Sequence, residues 1–596
     1  MSIQDNYQQR IHEIRQELSK LKRRKSYFAW ARLLNIALII LTWYLWPVFN
    51  VYTVSITILL LIVFVRLIYA DLANRSNIGH HERLLKINED EIKALNGEYY
   101  QFANGAAYLP KEHPYAADMD ILGHASLFQF MNRTVSEPGA GKLAGWLLNA
   151  TDASTILNRQ EAVKELKEKM SFRQNLQAFG KEYPITDLSV QRLQAWLNEK
   201  PAFPENSHWK WLRYLLPAIA IIICIGTIAD WFPMNVFYLA LVVFGSIAFQ
   251  LNKKIAPVHD QLSKMAAQLE TLSISIRSIE TEKFQSPLLK SLQADFLAGD
   301  KKASASIRSL HKTLDRLDLR YNMVLSVPLE LVLLWSLQQV LALEQWKKQE
   351  SLRVASWLNS LAEMEALNSI ATIHFNQTDW VFPQLKENYF SLEARSLGHP
   401  LIPEKKRVNN DVSIQHKGEL MLITGSNMAG KSTFLRSTGV NLVLAMAGSP
   451  VCATNFSFTP VQLISSMRIA DNLEESTSTF YAELKKLKSI IDRVNAGEKL
   501  FIVLDEILRG TNSHDRHTGS DALIRQLIRH QAAGMIATHD LALADIQQSF
   551  PQNILNHHFD VQVSGEELYF DYKLKPGVCQ SMNAIILMRK IGIENI

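Results

Sequence analysis

Cysteine is scarce in this chain. There are three, Cys224, Cys452 and Cys579, far apart and without a CxxC pair. That excludes a disulfide framework and a cysteine-built zinc site. Disordered and fibrous classes are excluded as well, because 47% of residues are hydrophobic and 20% charged, enough for large cores. A strong excess of one charge is also missing. The net charge of +5 is compatible with nucleic acid or anionic lipid and is evidence for neither. A length of 596 residues corresponds to roughly four domains.

The most informative absence is local. Charge is missing altogether between Arg32 and Arg66, and between Arg213 and Lys253 the only charge is Asp230. A spanning helix needs about 20 apolar residues, so each block suits two spans and a tight turn. Pro47 and Asn50 punctuate the first block, Asp230 and Pro233 the second, as turn residues do. Trp43, Trp46, Trp231 and Phe232 lie near those turns, where amphipathic rings favour an interface. Lys22, Arg23, Arg24, Lys25, Arg32, Arg66 and Arg75 surround the first block, and Lys210, Arg213, Lys253 and Lys254 the second; neither turn carries Lys or Arg. The positive-inside rule puts the turns outside and the rest, with both termini, in the cytoplasm. The expectation is a multi-pass protein of the inner (cytoplasmic) membrane that contacts the lipid bilayer through four helices. The first block starts too late and is too long for a cleavable signal peptide. The competing reading is a pair of helical hairpins buried in a large soluble core.

Residues 1–26 carry Ile11, Ile14, Leu18 and Leu21 at spacings of 3, 4 and 3, a helical seam. Residues 82–96 repeat the theme with Leu85, Ile92 and Leu95. A coiled-coil stalk continuing the membrane helices and two separate surface helices both fit. Residues 106–205 and 253–370 read as helical; 262–284, for example, lacks Gly and Pro. From about residue 371, short apolar β-type runs alternate with helical segments, which predicts an α/β unit with a parallel sheet.

The chemistry-bearing motifs lie in that last unit. A buried strand is expected at 419–424 (ELMLIT). It runs into Gly425, Ser426, Asn427, Met428, Ala429, Gly430, Lys431, Ser432 and Thr433, and a helix follows. This is GxxxxGK[ST] in its strand–loop–helix setting. The two glycines let backbone N–H groups turn toward phosphate oxygens, and the helix N-terminus adds a favourable dipole. Lys431 places a charge on the β/γ-phosphates, and the Ser432 hydroxyl can ligate Mg²⁺. A second strand, 500–504, ends in Asp505 and Glu506. Asp505 is placed to hold Mg²⁺, and Glu506 to polarise a water attacking the γ-phosphate. A third strand, 535–538, ends in His539, where a phosphate contact and a purely structural role are both open.

TGSNMAGKST, DEILRGTNSHD and ATHD, in that order, resemble the ATPase domain of the MutS mismatch-repair family. The segment 471–480, with Glu483 after it, is similar to that family's signature loop ending in STF. The resemblance implies that Ser478 reaches the partner's γ-phosphate across a dimer interface; taken alone, its Ser/Thr cluster reads as a helix cap. It further implies Glu506 as general base, His539 as γ-phosphate sensor and His558 near the base. Upstream, Asp120 to Gly123, Asn132 to Thr134, Trp146 and Arg159 to Val163 resemble the start of the family's helical core. Trp357, Glu365 to Leu367, His399, Pro400 and Asn409 to Asp411 resemble its approach to the ATPase.

The departures are equally specific. A mismatch-reading domain with its Phe-x-Glu wedge is not found, the second hairpin interrupts the core, no clamp signature shows in 253–350, and no room remains for a C-terminal helix-turn-helix. Arg407 lies where some members stack an aromatic on adenine.

The expected fold is therefore multidomain, α plus α/β. It has four transmembrane helices in two hairpins, a helical MutS-like core and lever region, and a C-terminal P-loop ATPase of MutS/ABC type. The expected boundaries are an N-terminal coiled helix at 1–26, hairpin one at 27–70, a helical stalk at 71–105, the first part of the core at 106–205, hairpin two at 206–252, a lever region at 253–370 and the ATPase at 371–596. The resemblance implies an ATP- and Mg²⁺-dependent homodimer that switches a clamp on double-stranded or branched DNA, in mismatch repair or related DNA processing. An ATP-driven membrane scaffold or signalling module is the alternative. A transporter fits poorly, because the spans carry no internal charge that would line a substrate path.

Overall fold

The computed structural model describes residues 2–47, 49–203, 208–297, 301–387, 390–426, 428–468, 479–564 and 567–580. The chain opens with two very long helices, α1 (Ile3–Leu45) and α2 (Val51–Leu95). Ser2 and Asp5 form a capping box at the start of α1, and Asn50 and Thr53 form one at the start of α2, satisfying N–H groups that have no partner inside the helix. The two helices run antiparallel. Arg15 pairs with Glu89 at 3.0 Å, Lys22 with Glu82 at 3.0 Å and Arg32 with Asp71 at 3.1 Å, and the Trp43 indole donates to Thr57 at 3.1 Å. The stalk segments thus pair within one chain. Ile14 and Leu18 pack on Ile78, Leu84 and Ile87. The second seam is therefore shifted from the expected Leu85, Ile92 and Leu95, which are only half-buried.

The core follows with α3 (Leu127–Met131), α4 (Glu137–Leu148), α5 (Ala153–Glu168), α6 (Met170–Gly180) and α7 (Asp187–Asn198). A second apolar hairpin, α8 (Trp209–Ile228) and α9 (Met234–Ser263), interrupts it. Among the described residues four helices, α1, α2, α8 and α9, are long and apolar enough to cross a membrane, and their apolar windows are only 6% to 11% buried within the chain. Burial inside a soluble core, the competing expectation, is not what these hairpins do.

Four shorter helices, α10 (Ala266–Thr281), α11 (Pro287–Leu297), α12 (Ala303–Asp318) and α13 (Met323–Leu333), lead to α14 (Trp335–Asn376). At 42 residues, α14 is about 63 Å long. It threads the core. Its Glu365, 5% exposed, accepts from the Val135 N–H at 3.1 Å, the Ser136 N–H at 3.0 Å and the Ser136 hydroxyl at 2.8 Å, where α4 begins. Gly139 is required here, since a Cβ would stand 2.3 Å from a Glu365 carboxylate oxygen. Burial pushes the Glu365 carboxyl up, against the pull of those donors.

Beyond α14 lie two sheets. The smaller holds β1 (Gln384–Leu385), β2 (Leu392–Leu397), β3 (Asn410–Ile414) and β5 (Asn455–Phe458) in the order β1-β5-β2-β3. The larger holds β4 (Leu420–Thr424), β6 (Gln462–Ser466), β7 (Leu500–Asp505), β8 (Ala533–Thr538), β9 (Ile554–Ser564) and β10 (Glu567–Pro576) in the order β10-β9-β4-β8-β7-β6. The expected parallel sheet is present from β9 to β6. It carries an antiparallel edge strand, β10, because a short connection between neighbours permits only that direction. Every residue of β4, β7 and β8 is buried, as in sheets covered on both faces. Helices α15 (Lys431–Ala447), α16 (Thr479–Asn495), α17 (Ser513–Arg529) and α18 (Ile546–Ser549) complete the unit.

An unmet buried donor costs about 1–3 kcal/mol. Glu365→Ala strands three and should lower the Tm of the purified protein well below that of Glu365→Gln, which keeps an acceptor. Equal Tm values for the two variants in a thermal melt would reject the capping role.

Candidate functional site

Parallel register brings three strand ends together. Thr424 of β4 pairs with Thr538 of β8, and Asp505 of β7 with Ala537 of β8. The 425–433 loop, Asp505 with Glu506, and His539 therefore leave the sheet at one edge, the carboxyl edge where α/β sheets bind ligands. Gly425 has φ +146 and Gly430 has φ +110. A Cβ on Gly425 would stand 2.7 Å from the Phe559 carbonyl oxygen, so only glycine lets the loop pass. Gly430 is the N-cap of α15, and the amino end of that helix, with its outward N–H groups, opens into the same space.

Lys431 is the first residue of α15 and is 4% exposed. Its ammonium donates to the Gly425 carbonyl at 2.8 Å and the Ser426 carbonyl at 2.9 Å. Burial holds its pKa below the usual lysine range, against the opposing pull of Glu506 and Asp505. Asp505 is 7% exposed, and its Oδ1 has no hydrogen-bond partner among the described residues. Glu506 adopts the left-handed φ of +51. One carboxylate oxygen lies 2.5 Å from His539 Nε2 and the other 2.9 Å from Arg509 Nε. The His539 contact first, then the nearby positive charges, hold the Glu506 carboxyl below the ordinary range against burial. Lys431 Nζ also lies 3.3 Å from His539 Nε2. One ring nitrogen cannot accept from lysine and donate to a carboxylate at once. The shorter contact assigns the proton to the Glu506 side.

A cavity of about 410 Å³ adjoins this edge. The 428–434 segment and Glu506 form one wall, with His399, Arg407, Phe559 and Tyr572 around it. Burial pushes His399 down to about 4, so it is neutral at neutral pH. Phe559 and Tyr572 were not singled out by the sequence. The signal for Phe559 was its alternate position in the NHHFD strand; Tyr572 carried none. Arg407 faces the cavity where an aromatic was looked for, with its Nε on Asn409 at 3.2 Å. His558 turns its Nδ1 to the Gly577 carbonyl at 3.2 Å; its neighbour Phe559 is the residue that reaches the cavity. Asn427 and Ser478 lie outside the described residues.

Two further carboxylates brace the site. Glu483 on α16 is buried and accepts from the Leu508 N–H, fixing the turn that carries Glu506; burial raises its pKa. Asp118, from the segment before α3, accepts from Lys486 at 2.6 Å, the Ser465 hydroxyl at 2.7 Å and the Met467 and Arg468 N–H groups at 3.2 and 3.1 Å. Arg468 in turn grips Asp120 at 2.6 and 3.0 Å. The core thereby holds the end of β6.

The donor set fits a nucleotide triphosphate with a hard cation. Among the described residues no cluster of three or more His, Cys, Asp or Glu side chains could hold a metal alone. A magnesium ion here would rest on Asp505, the Ser432 hydroxyl and phosphate oxygens, its usual mixed shell. The unpartnered Asp505 Oδ1 is the oxygen that such an ion needs.

Residues 421–595 match the family model for MutS domain V. Similar curated proteins include DNA mismatch repair protein MutS of Thermotoga sp. (strain RQ2), 30% identical over 39% of this chain and 29% of that protein. Another is DNA mismatch repair protein MutS of Persephonella marina, 29% identical over 41% of this chain and 28% of that protein. MutS protein homolog 4 of Homo sapiens is 31% identical over 35% of this chain and 22% of that protein. The chain spans less than a third of the length of these relatives.

Asp505→Asn removes a charge whose Oδ1 meets no donor, so the unliganded protein should be at least as stable as the parent. It should lose the rise in Tm that Mg²⁺ with ATP gives the parent. A rise equal to the parent's in a melt with both added would remove Asp505 from the metal shell.

Proposed function

We propose, from the premise that this chain is a MutS-family protein through its C-terminal region, that it is a membrane-anchored ATPase. In this reading it hydrolyses ATP as a homodimer to switch a clamp on DNA. The observation that carries the proposal is the Glu506–His539 pair at 2.5 Å, beside Lys431 at the mouth of the 425–433 loop.

Backbone N–H groups of the 425–433 loop and of α15 bind the phosphates, and Lys431 lies within reach of them from its seat on the Gly425 and Ser426 carbonyls. Ser432 and Asp505 would hold Mg²⁺, which when bound would supply neutralisation of phosphate charge. Glu506 accepts the proton of a water whose oxygen bonds to the γ-phosphorus while the bond to the ADP oxygen breaks. A carboxylate kept ionised by His539 and Arg509 is available for that role throughout the neutral range. His539 orients Glu506 on one side and adjoins Lys431 on the other, so it senses the end of the triphosphate. Ser478 of a second copy completes the site, which makes turnover depend on dimer geometry. Catalysis of this kind is positioning and charge stabilisation.

Support for the bilayer anchor comes from the four helices whose apolar windows are 6% to 11% buried. Support for DNA comes from the relatives' names, which state DNA mismatch repair. One observation favours the scaffold alternative: the helices entering and leaving the first hairpin are paired with each other along their length, as a fixed strut would be.

Glu506→Ala should retain ATP binding and lose about 10²–10⁴-fold in kcat, the usual worth of a general base, while Lys431→Ala weakens binding and turnover together. Phosphate release and equilibrium nucleotide binding separate the two, and normal turnover in Glu506→Ala would overturn the assignment. Duplex or branched DNA should stimulate the ATPase of the full chain at low salt, with steep loss as salt rises. A rate indifferent to DNA at low salt would select the scaffold.

A further inference from the structure

One segment of the region read as a lever, α13, stands out by its composition. Its sequence, MVLSVPLELVL, holds one charge, Glu330. It falls inside the region expected to be a cytoplasmic lever, yet its most extensive helix packing is elsewhere. It lies against α8 and α9, the second apolar hairpin. Leu331 approaches Gly245 of α9 closely, its Cδ2 3.7 Å from where a Cβ on that glycine would stand. Gly245 is eleven residues beyond Met234, or about 16 Å along the helix axis, half of a hydrocarbon layer about 30 Å thick. Val327, Pro328, Leu331 and Val332 share a cavity of about 250 Å³ with α8 and α9, and that cavity extends to Phe237, three residues from the start of α9. Among the described residues no Asp, Glu, Lys, Arg or His side chain lines it.

Both ends of the segment return to the basic border of the hairpin. Before α13, Arg320 binds the Asn252 side chain, and the Tyr321 hydroxyl lies 3.1 Å from His259. After it, the Gln338 side chain donates to the Arg213 carbonyl at 2.5 Å, and the Trp335 indole to the Arg316 carbonyl at 2.7 Å. Leu334, fully buried with φ +47, makes the corner at which the helices meet at 73°. The single charge is folded out of the apolar zone. Glu330 accepts from the Ser336 N–H at 3.0 Å and from the Ser336 hydroxyl, capping the start of α14, where the helix dipole favours an anion. Protein cover over α13 is incomplete at that cavity: Val327 is 55% exposed.

We propose that α13 is a re-entrant membrane helix, which enters the hydrocarbon beside the second hairpin, contacts lipid acyl chains through Val327 and returns to the cytoplasmic border at Leu334. Non-helical backbone at such a corner is tolerated within a bilayer only where protein covers it, and Leu334 is covered. The consequence is that α14 begins at the membrane. The inference rests on the reading that the second hairpin spans a bilayer.

Benzophenone-bearing phenylalanine placed singly at Val327, Ile222 or Lys312 in the full chain tests both readings, in nanodiscs of phosphatidylethanolamine and phosphatidylglycerol. Ile222, on α8, is 59% exposed; Lys312 is an exposed residue of α12, outside the apolar segments. The expected result after irradiation is a lipid adduct at Val327 and Ile222 and none at Lys312. An adduct at Ile222 without one at Val327 overturns the re-entrant helix and leaves the spanning hairpin standing. No adduct at Ile222 overturns the spanning hairpin and the re-entrant helix with it. An adduct at Lys312 as strong as at Val327 also overturns the proposal.

Discussion

Glu91 places a carboxylate where only 2% of the residue is exposed, and the arrangement of the first two helices depends on how that charge is met. Arg133, from the loop after α3, binds it with two nitrogens, one at 3.0 Å. Asn376, the last residue of α14, donates to it at 2.8 Å, and the Tyr7 hydroxyl of α1 donates to Asn376 at 2.8 Å. Removing one partner of such a group leaves a buried charge uncompensated, which costs about 3–5 kcal/mol. The network is thus a four-way joint between α1, α2, the core and α14. It fixes where the stalk meets the body, and it does so at the residue where α14 hands over to the nucleotide unit.

That joint gives α14 a meaning beyond its length. At its far end the helix is tied to the second hairpin through Gln338 and Arg213. In its middle it caps α4 through Glu365, and at its near end it holds the stalk. Just beyond, Trp380 packs against Phe130 of α3, and Val381 pairs with Val451. A continuous hydrogen-bonded helix resists compression and transmits displacement along its axis. The core it crosses is close-packed, and close-packed interiors transmit strain.

The sequence revealed much of this where the signal was periodic or chemical. Charge-free blocks marked both hairpins, and the order TGSNMAGKST, DEILRGTNSHD, ATHD set Lys431 after one expected strand and Asp505, Glu506 and His539 at the ends of two others; that these strands are neighbours came from the fold. What stayed illegible depended on partners far along the chain. Asp118 is an ordinary acidic residue until Lys486 and the end of β6 are folded onto it. Tyr572 reaches the cavity only because β10 pairs back on β9. The α13 segment, 11 residues long, falls below the length at which apolarity alone marks a membrane element; its place follows from contacts with α8 and α9. The seam of α2 was misread by one residue because Asn88 and Glu91 face inward, and buried polar groups break an apolar count.

A ligand can shift a structure only by the difference in its affinity for two states. In this protein that difference would have to arise at the sheet edge, where Glu506 sits between His539 and Arg509 and Lys431 sits on its own loop's carbonyls. Every one of those contacts can exchange for a phosphate or a water, so the edge has two sets of partners for the same side chains. The strands carrying them are buried along their whole length and cannot adjust singly. Exchange at the edge therefore favours movement of the sheet as a body. Asp118 and Arg468 on one side and the Val381–Val451 bridge on the other make the core and α14 the elements that must accommodate it.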